Sequence, residues 1–317
     1  MRSKAVGHRE VDYFSLIRTI YGERIERAIF STLYLVILLF NWTFFISKST
    51  IVKLSEIPTI CLFMFDLKKD PSGLFTLYFD KPPANAFDDE ALNALHLEID
   101  ALKSDDQCRA LLFASKGRFF CAGADIAFMG LAMQSANGPE TLRDLAQKMQ
   151  DVFRAIELLD VPTVACLSGI ATGGGLELAL ACDFRMAEAG VKLGVPECKI
   201  GLLPGAGGTQ RLTRLLGRQA AKRLIMTGEI ITAEIAQKMG LVDEVVSAGE
   251  CEQFAREFCL SMIAVPKKTL SSIKKCLDLA PSMAGFECEI NETFALQQSA
   301  DTQQLISNFL NRSKQRK

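Results

Sequence analysis

From residue 73 onward the chain alternates between two hydrophobic periods. The runs "LFTLYF" (74–79) and "ALLFAS" (110–115) are short and almost wholly apolar, as a strand covered on both faces requires. The Pro82–Pro83 pair breaks the first run. Asp88 then stands where it can cap a helix in which Leu92, Leu95, Ile99 and Leu102 recur at spacings of three and four. The stretch "KGRFFCAGADIAFMG" reads as a loop, a long helix is predicted around Glu140–Leu159, and Pro162 stops it before "TVACLS" (163–168), a third buried strand. Later, "GGTQRLTRLLGRQAAKRLIMTG" contains a helix with a basic outer face, "TAEIAQKMG" a short helix closed by Gly240, and "LVDEVV" (241–246) another strand. Beyond Glu250 the pattern is helical almost to Arg312. Strand, turn and helix in repetition predict an α/β layer arrangement.

Upstream of this pattern, residues 28–47, "AIFSTLYLVILLFNWTFFIS", are uncharged, long enough to cross a hydrocarbon core as a helix. The basic residues before them, Arg2 through Arg27, would hold the N-terminus on the cytoplasmic side and send the following domain across the membrane. No small-residue cleavage pattern follows, as a secretory signal needs. The extension 1–63 is therefore expected to be either an anchor or a segment outside the working chain. The second reading starts the working chain near Met64 and leaves it cytoplasmic. Residues 64–250 then form the core and 251–317 a C-terminal helical subdomain.

Charge narrows the classes of partner. With 36 basic and 37 acidic residues, no overall field favours nucleic acid. The cysteines contain no C-x-x-C pair, so metal-ligand spacing is missing from the sequence and no metal is expected. Most lie in apolar runs, as free thiols in a reducing compartment do. Of the two histidines, His96 falls within a helix pattern with no partner for a triad, and a structural role is expected for it. Chemistry by carboxylates and backbone is favoured.

Three segments concentrate that chemistry. "GIATGGGLELALACD" puts Gly173–Gly175 at a helix mouth, where the first N–H groups lack intrahelical partners, with Glu177 one turn inside. Neither it nor "GAGGTQ" has the spacing of a dinucleotide fingerprint or a P-loop. "FFCAGADI" supplies a second small-residue turn, so one N–H from each turn can converge on a carbonyl oxygen. "GVPECKIGLLPGAGGTQRL" adds Glu197. Together with "KPPANAF" and "MTGEIITAEIAQKMGLVDEVV", in this order, these segments resemble the crotonase family, the enoyl-CoA hydratase and isomerase superfamily, over residues 64–317.

The resemblance implies a crotonase-like spiral of ββα units with C-terminal helices that assemble into a homotrimer or hexamer. It also implies acyl-CoA thioester substrates, coenzyme A arriving as part of the substrate and no separate cofactor. Carried over residue by residue, the oxyanion hole falls on the N–H groups of Ala124 and Gly174. The catalytic carboxylates fall on Glu177 and Glu197, and the neighbouring Ala122, Asp125 and Ile126 fall on thioester contacts. Retention of both glutamates favours a hydratase, with Glu177 activating water and Glu197 donating to C2, provided the two acids reach one water molecule. The alternatives are another acyl-CoA enzyme of this fold, such as an isomerase, and a membrane-tethered protein without turnover. The loop from Phe128 to Pro139 is expected in the pocket wall; Lys81 and Lys314 are basic residues for which contact with CoA phosphates and a solvated surface role both stay open.

Overall fold

The computed structural model describes residues 64–280 and 282–315, with side chains through residue 308. The chain divides into two units, residues 1–62 and 63–317. The apolar segment 28–47 and the rest of the extension 1–63 lie outside the described residues. Among the described residues, no helix is long and apolar enough to cross a membrane.

After an opening hairpin, three strands each lead into a shorter second strand before the chain turns helical. A hairpin of β1 (Phe65–Lys69) and β2 (Leu74–Phe79) is followed by α1 (Asp89–Lys103). Three strand pairs come next: β3 (Ala110–Ser115) with β4 (Phe119–Cys121), β5 (Thr163–Leu167) with β6 (Ile170–Thr172), and β7 (Phe184–Glu188) with β8 (Lys192–Gly194). The first strand of each pair enters one sheet, of order β1-β2-β3-β5-β7-β10, and the second enters another, of order β4-β6-β8-β9. Successive turns therefore stack as parallel neighbours in both sheets, which winds the chain into a spiral. Antiparallel β9 (Ile230–Thr232) closes the small sheet and parallel β10 (Glu244–Val246) the large one.

Helices fill the intervals. The first pair is followed by α2 (Ile126–Met133) and α3 (Gly138–Glu157), and the second by α4 (Gly174–Ala181). The third leads to a 3-10 helix, Pro196–Ile200, and α5 (Gly208–Thr227). α6 (Ala233–Lys238) joins β9 to β10, and α7 (Cys251–Ile263), α8 (Lys267–Asp278), α9 (Met283–Gln297) and α10 (Ala300–Gln315) end the chain. Leu112, Val164 and Met186, from adjacent strands of the large sheet, meet Cys251, Ala255 and Cys259, which recur every four residues on α7. Small side chains on that stripe let the helix lie close to the sheet, so the C-terminal helices begin as a layer of the core.

Differences from the sequence pattern have local causes. Asp88 caps α1 by accepting from the Ala91 N–H at 2.9 Å, as its position predicts. The stretch read as a loop contains β4 and most of α2; β4 exists because it pairs with Ile170 and Ala171 far along the chain. The strand predicted over 241–246 is confined to 244–246. Leu241 and Val242 direct their N–H groups to the Ala236 carbonyl at the end of α6 instead of to a strand.

Candidate active site

The first glycine-alanine turn is held from behind by the "KPPANAF" loop. Buried Asn85 adopts a positive φ of 51° and donates from Nδ2 to the carbonyls of Lys116 and Phe119, at 3.0 and 2.8 Å. That fixes the loop beside β4. Ala122 N–H then reaches Ala84 O, Phe87 N–H reaches Gly123 O, and Asp125 N–H reaches Phe87 O. The last two bonds flank Ala124 and turn its own N–H away from Phe87; it donates to no backbone carbonyl among the described residues. A ladder of rings, Phe65, Phe79, Phe87 and Phe153, links this loop to α3, with centroids 4.5, 5.2 and 5.7 Å apart.

The second turn is set by glycine backbone freedom and close approach. Gly173 has φ 56° and ψ −132°, a conformation that side chains resist. A Cβ on Gly175 would sit 1.9 Å from the Cys121 carbonyl oxygen, so α4 lies against β4 as only glycine permits. As the first residue of α4, Gly174 has an N–H with no intrahelical acceptor. A Cβ built on Gly174 would lie 3.7 Å from the Ala124 nitrogen. The two unused donors thus stand on adjacent turns.

All of α4 is buried, and Glu177 with it, at 2% exposure. An isolated carboxylate there would be expensive. The N–H groups of Ala206, just before α5, and of Gly208, its first residue, both donate to Glu177 Oε1, at 2.8 and 2.7 Å. Burial raises the Glu177 pKa to about 7; the Gly208 and Ala206 donors and Arg211 act against the rise, while Glu197 adds to it. Glu197 stands on the 3-10 helix, which Pro196 opens. Its Oε1 would lie 3.1 Å from a Cβ on Gly173, and its Oε2 is buried with no partner among the described residues. Burial pushes its pKa upward as well.

Glu177, Glu197, Ala124 and Gly174 line one cavity of about 600 Å³. Ala122 and Ile126 also line it, whereas the Asp125 carboxylate caps α2 by accepting from the Phe128 N–H at 3.0 Å. Met129 and Pro139 contribute from the segment expected in the wall, which is largely helix. Lys81 is engaged within the chain, on Asp88 at 2.5 Å and the Ala86 carbonyl at 3.0 Å. The Lys314 side chain lies outside the described ones. His96 pairs with Asp100 on the exposed side of α1, 3.0 Å apart.

Sequence reasoning missed three contributions. Leu142, Leu145, Ala146 and Met149 of α3 form the apolar wall; their spacing of three, one and three was the available signal. The Ala206 and Gly208 donors had no signal beyond their glycine-rich surroundings. Arg211, expected on a basic outer face, is instead 9% exposed and turned inward. Among the described residues no cluster of histidine, cysteine and carboxylate side chains could hold a metal.

Comparison with known proteins agrees with this architecture. The family model described as enoyl-CoA hydratase/isomerase matches residues 69–316. The chain is 37% identical over 228 residues to the enoyl-CoA isomerase/hydratase fer4 of Mycosarcoma maydis, covering 69% of this chain and 81% of that protein. It is 41% identical over 179 residues to the crotonyl-CoA hydratase of Syntrophomonas wolfei, covering 56% and 67% respectively. The structure of Pseudomonas aeruginosa DspI superposes with a TM-score of 0.73 at 33% identity, covering 79% of this chain and 95% of that one. Spiral, paired turns and matched motifs together establish that the chain belongs to the enoyl-CoA hydratase/isomerase family, the crotonase superfamily.

Proposed function

We propose that the protein is an enoyl-CoA hydratase, adding water reversibly across the C2=C3 bond of 2-enoyl-CoA thioesters. The observation that carries this reading is a pair of glutamates with raised proton affinity in one largely apolar cavity, beside two N–H groups with no backbone acceptor. The thioester oxygen accepts from Ala124 and Gly174, which stabilise the negative charge that gathers there as the enolate forms. Glu177, whose anion is supported by two N–H bonds, takes a proton from water as the oxygen bonds to C3. Glu197, one oxygen of which is buried with no partner among the described residues, delivers a proton to C2. The acyl chain runs along the apolar wall of α3, and Ala122 and Ile126 border the thioester.

Coenzyme A is part of the substrate in this reading, and no separate cofactor takes part. The free thiols fit a reducing compartment such as the cytoplasm. Incubating the purified protein with crotonyl-CoA and following the conjugated thioester absorbance tests the proposal. Loss of absorbance with formation of 3-hydroxybutyryl-CoA is expected; an unchanged spectrum at high enzyme concentration rejects it. The relative named isomerase/hydratase favours a second reading, movement of a double bond from C3 to C2. A 3-enoyl-CoA converted to the conjugated isomer, with crotonyl-CoA left unhydrated, selects that one.

A further inference from the structure

The Glu177 carboxylate accepts from the first and third of three consecutive peptide units, and the carbonyl of each of the three is held by a group outside the substrate cavity. A peptide is planar and trans, so a carbonyl pinned on one side aims the N–H of the following residue to the other. Gln150 Nε2 donates to the Gly205 carbonyl at 2.6 Å, fixing the unit whose N–H, that of Ala206, reaches Glu177. The Gly207 carbonyl accepts from the Arg211 main-chain N–H at 2.9 Å, fixing the unit whose N–H, that of Gly208, reaches the same oxygen. Between them, the Ala206 carbonyl accepts from Arg211 Nη1 at 2.9 Å.

The guanidinium is in turn anchored to α3. Arg211 Nη2 donates to Glu157 Oε2 at 3.1 Å, and Arg154 Nη1 lies 2.9 Å from the same oxygen. Burial acts to raise the Glu157 pKa, but the two arginines outweigh it and hold the carboxyl below its ordinary range, so the anchor stays charged. Gln150, Glu157 and Arg211 line a second cavity of about 530 Å³, which meets the catalytic one at the loop around Gly205 and Ala206.

We propose that the Arg211–Glu157 ion pair, with Gln150 beside it, is a positioning device that aims the Ala206 and Gly208 N–H groups at Glu177 from behind the substrate cavity. These are positioning residues: the substrate-facing cavity is lined by none of the three side chains. The role rests on the hydratase reading in that it assigns Glu177 as the base. Besides the two N–H groups, the charged groups facing Glu177 are Glu197 from the 3-10 helix, which opposes its ionisation, and Arg211 from α5, which favours it. Arg211 itself faces Glu157 and Arg154 of α3, and Arg214 lies 4.0 Å from the same Glu157 carboxylate.

The test uses R211M, R211K and Q150L in the full-length protein, with kcat, KM and the pH profile of crotonyl-CoA hydration. R211M is expected to lower kcat by about 10- to 100-fold with KM little changed, because misaimed groups affect the reacting geometry more than binding. Its acid limb should move to higher pH, since both the pinned donors and the positive charge favour the Glu177 anion. R211K should recover part of kcat and most of the limb. Q150L, on an exposed side chain, should lower kcat less and shift the limb in the same direction. A folded R211M with wild-type kcat and an unshifted limb overturns the proposal. Should R211M not fold, an unshifted limb in Q150L overturns it equally. If the wild type does not hydrate crotonyl-CoA, the hydratase reading fails by itself. The device is then judged by carbon-13 NMR titration of Glu177: an upward displacement in Q150L upholds it, and identical curves for wild type and Q150L overturn it.

Discussion

Glu177 and Glu197 differ in what meets their oxygens, and that difference divides their proposed roles. Two N–H donors support the anion of Glu177 against the cost of burial, and its pKa rests at about 7. Glu197 has one buried oxygen without a donor, and burial moves its carboxyl upward against the opposing effect of its own backbone N–H. Glutamine keeps either shape and removes the titration. E177Q and E197Q are each expected to fold and to lower kcat on crotonyl-CoA by about 10²-fold or more in steady-state kinetics. Near-normal turnover by either variant removes that residue from the chemistry. Glu177 also carries a stability consequence. Its folded pKa is raised above the ordinary 4.5, so the folded protein holds this proton more tightly than the unfolded chain does. The resulting penalty is absent below pH 4.5, grows as pH rises to about 7, and persists above it. E177Q lacks the penalty while its side-chain oxygen still accepts from Ala206 and Gly208. Thermal or denaturant melts of the two proteins should therefore diverge across that window, by up to about 3 kcal/mol on its alkaline side. A difference that stays constant with pH contradicts the assigned burial cost.

At the scale of elements, the site depends on how closely α4 lies against β4. Gly175 makes that contact, and a methyl group there would overlap the Cys121 carbonyl, which is backbone and has nowhere to move. G175A is expected to cost about 3 kcal/mol or more, measured by urea denaturation. G130A is the matched control: Gly130 lies within α2 with nothing near its missing Cβ, and alanine there should add up to about 1 kcal/mol. Equal effects at both positions exclude close approach as the cause. The same contrast explains what the sequence could reveal. β2, β3 and α1 were legible because a six-residue run with five apolar positions, or a capped period of three and four, is a local signal. β4 was not, because three residues become a strand only when Ile170 and Ala171 arrive beside them. α2 was not, because its residues are apolar all round and show no helical stripe. In the site, ordered motifs pointed to Glu177, Glu197, Ala124 and Gly174, which line one cavity. The inward turn of Arg211 was hidden, since its partner Glu157 stands 54 residues earlier on another helix.

For the whole molecule, the unsettled surface is one face of α9. Gly285 and Cys288 turn inward, while Met283, Phe286, Ile290 and Phe294 follow a spacing of three, four and four on the other side, with Met283 80% and Ile290 73% exposed. Single exposed apolar residues are ordinary, but a continuous stripe of large ones marks an interaction surface. A second copy of the chain is the proposed occupant, in keeping with the homotrimer or hexamer that the family resemblance implies. Each such side chain buried between copies contributes about 1.5–3 kcal/mol. Charges at the centre of the stripe would remove that gain and add a desolvation cost. Light scattering of the purified protein should therefore give three or six times the chain mass. The double variant F286E/I290E should give a smaller particle at the same concentration and melt at a lower temperature, its two carboxylates being harmless only if that face meets water. A wild-type particle of one chain, or a double variant with the full wild-type mass, means that copies of the chain do not meet through α9.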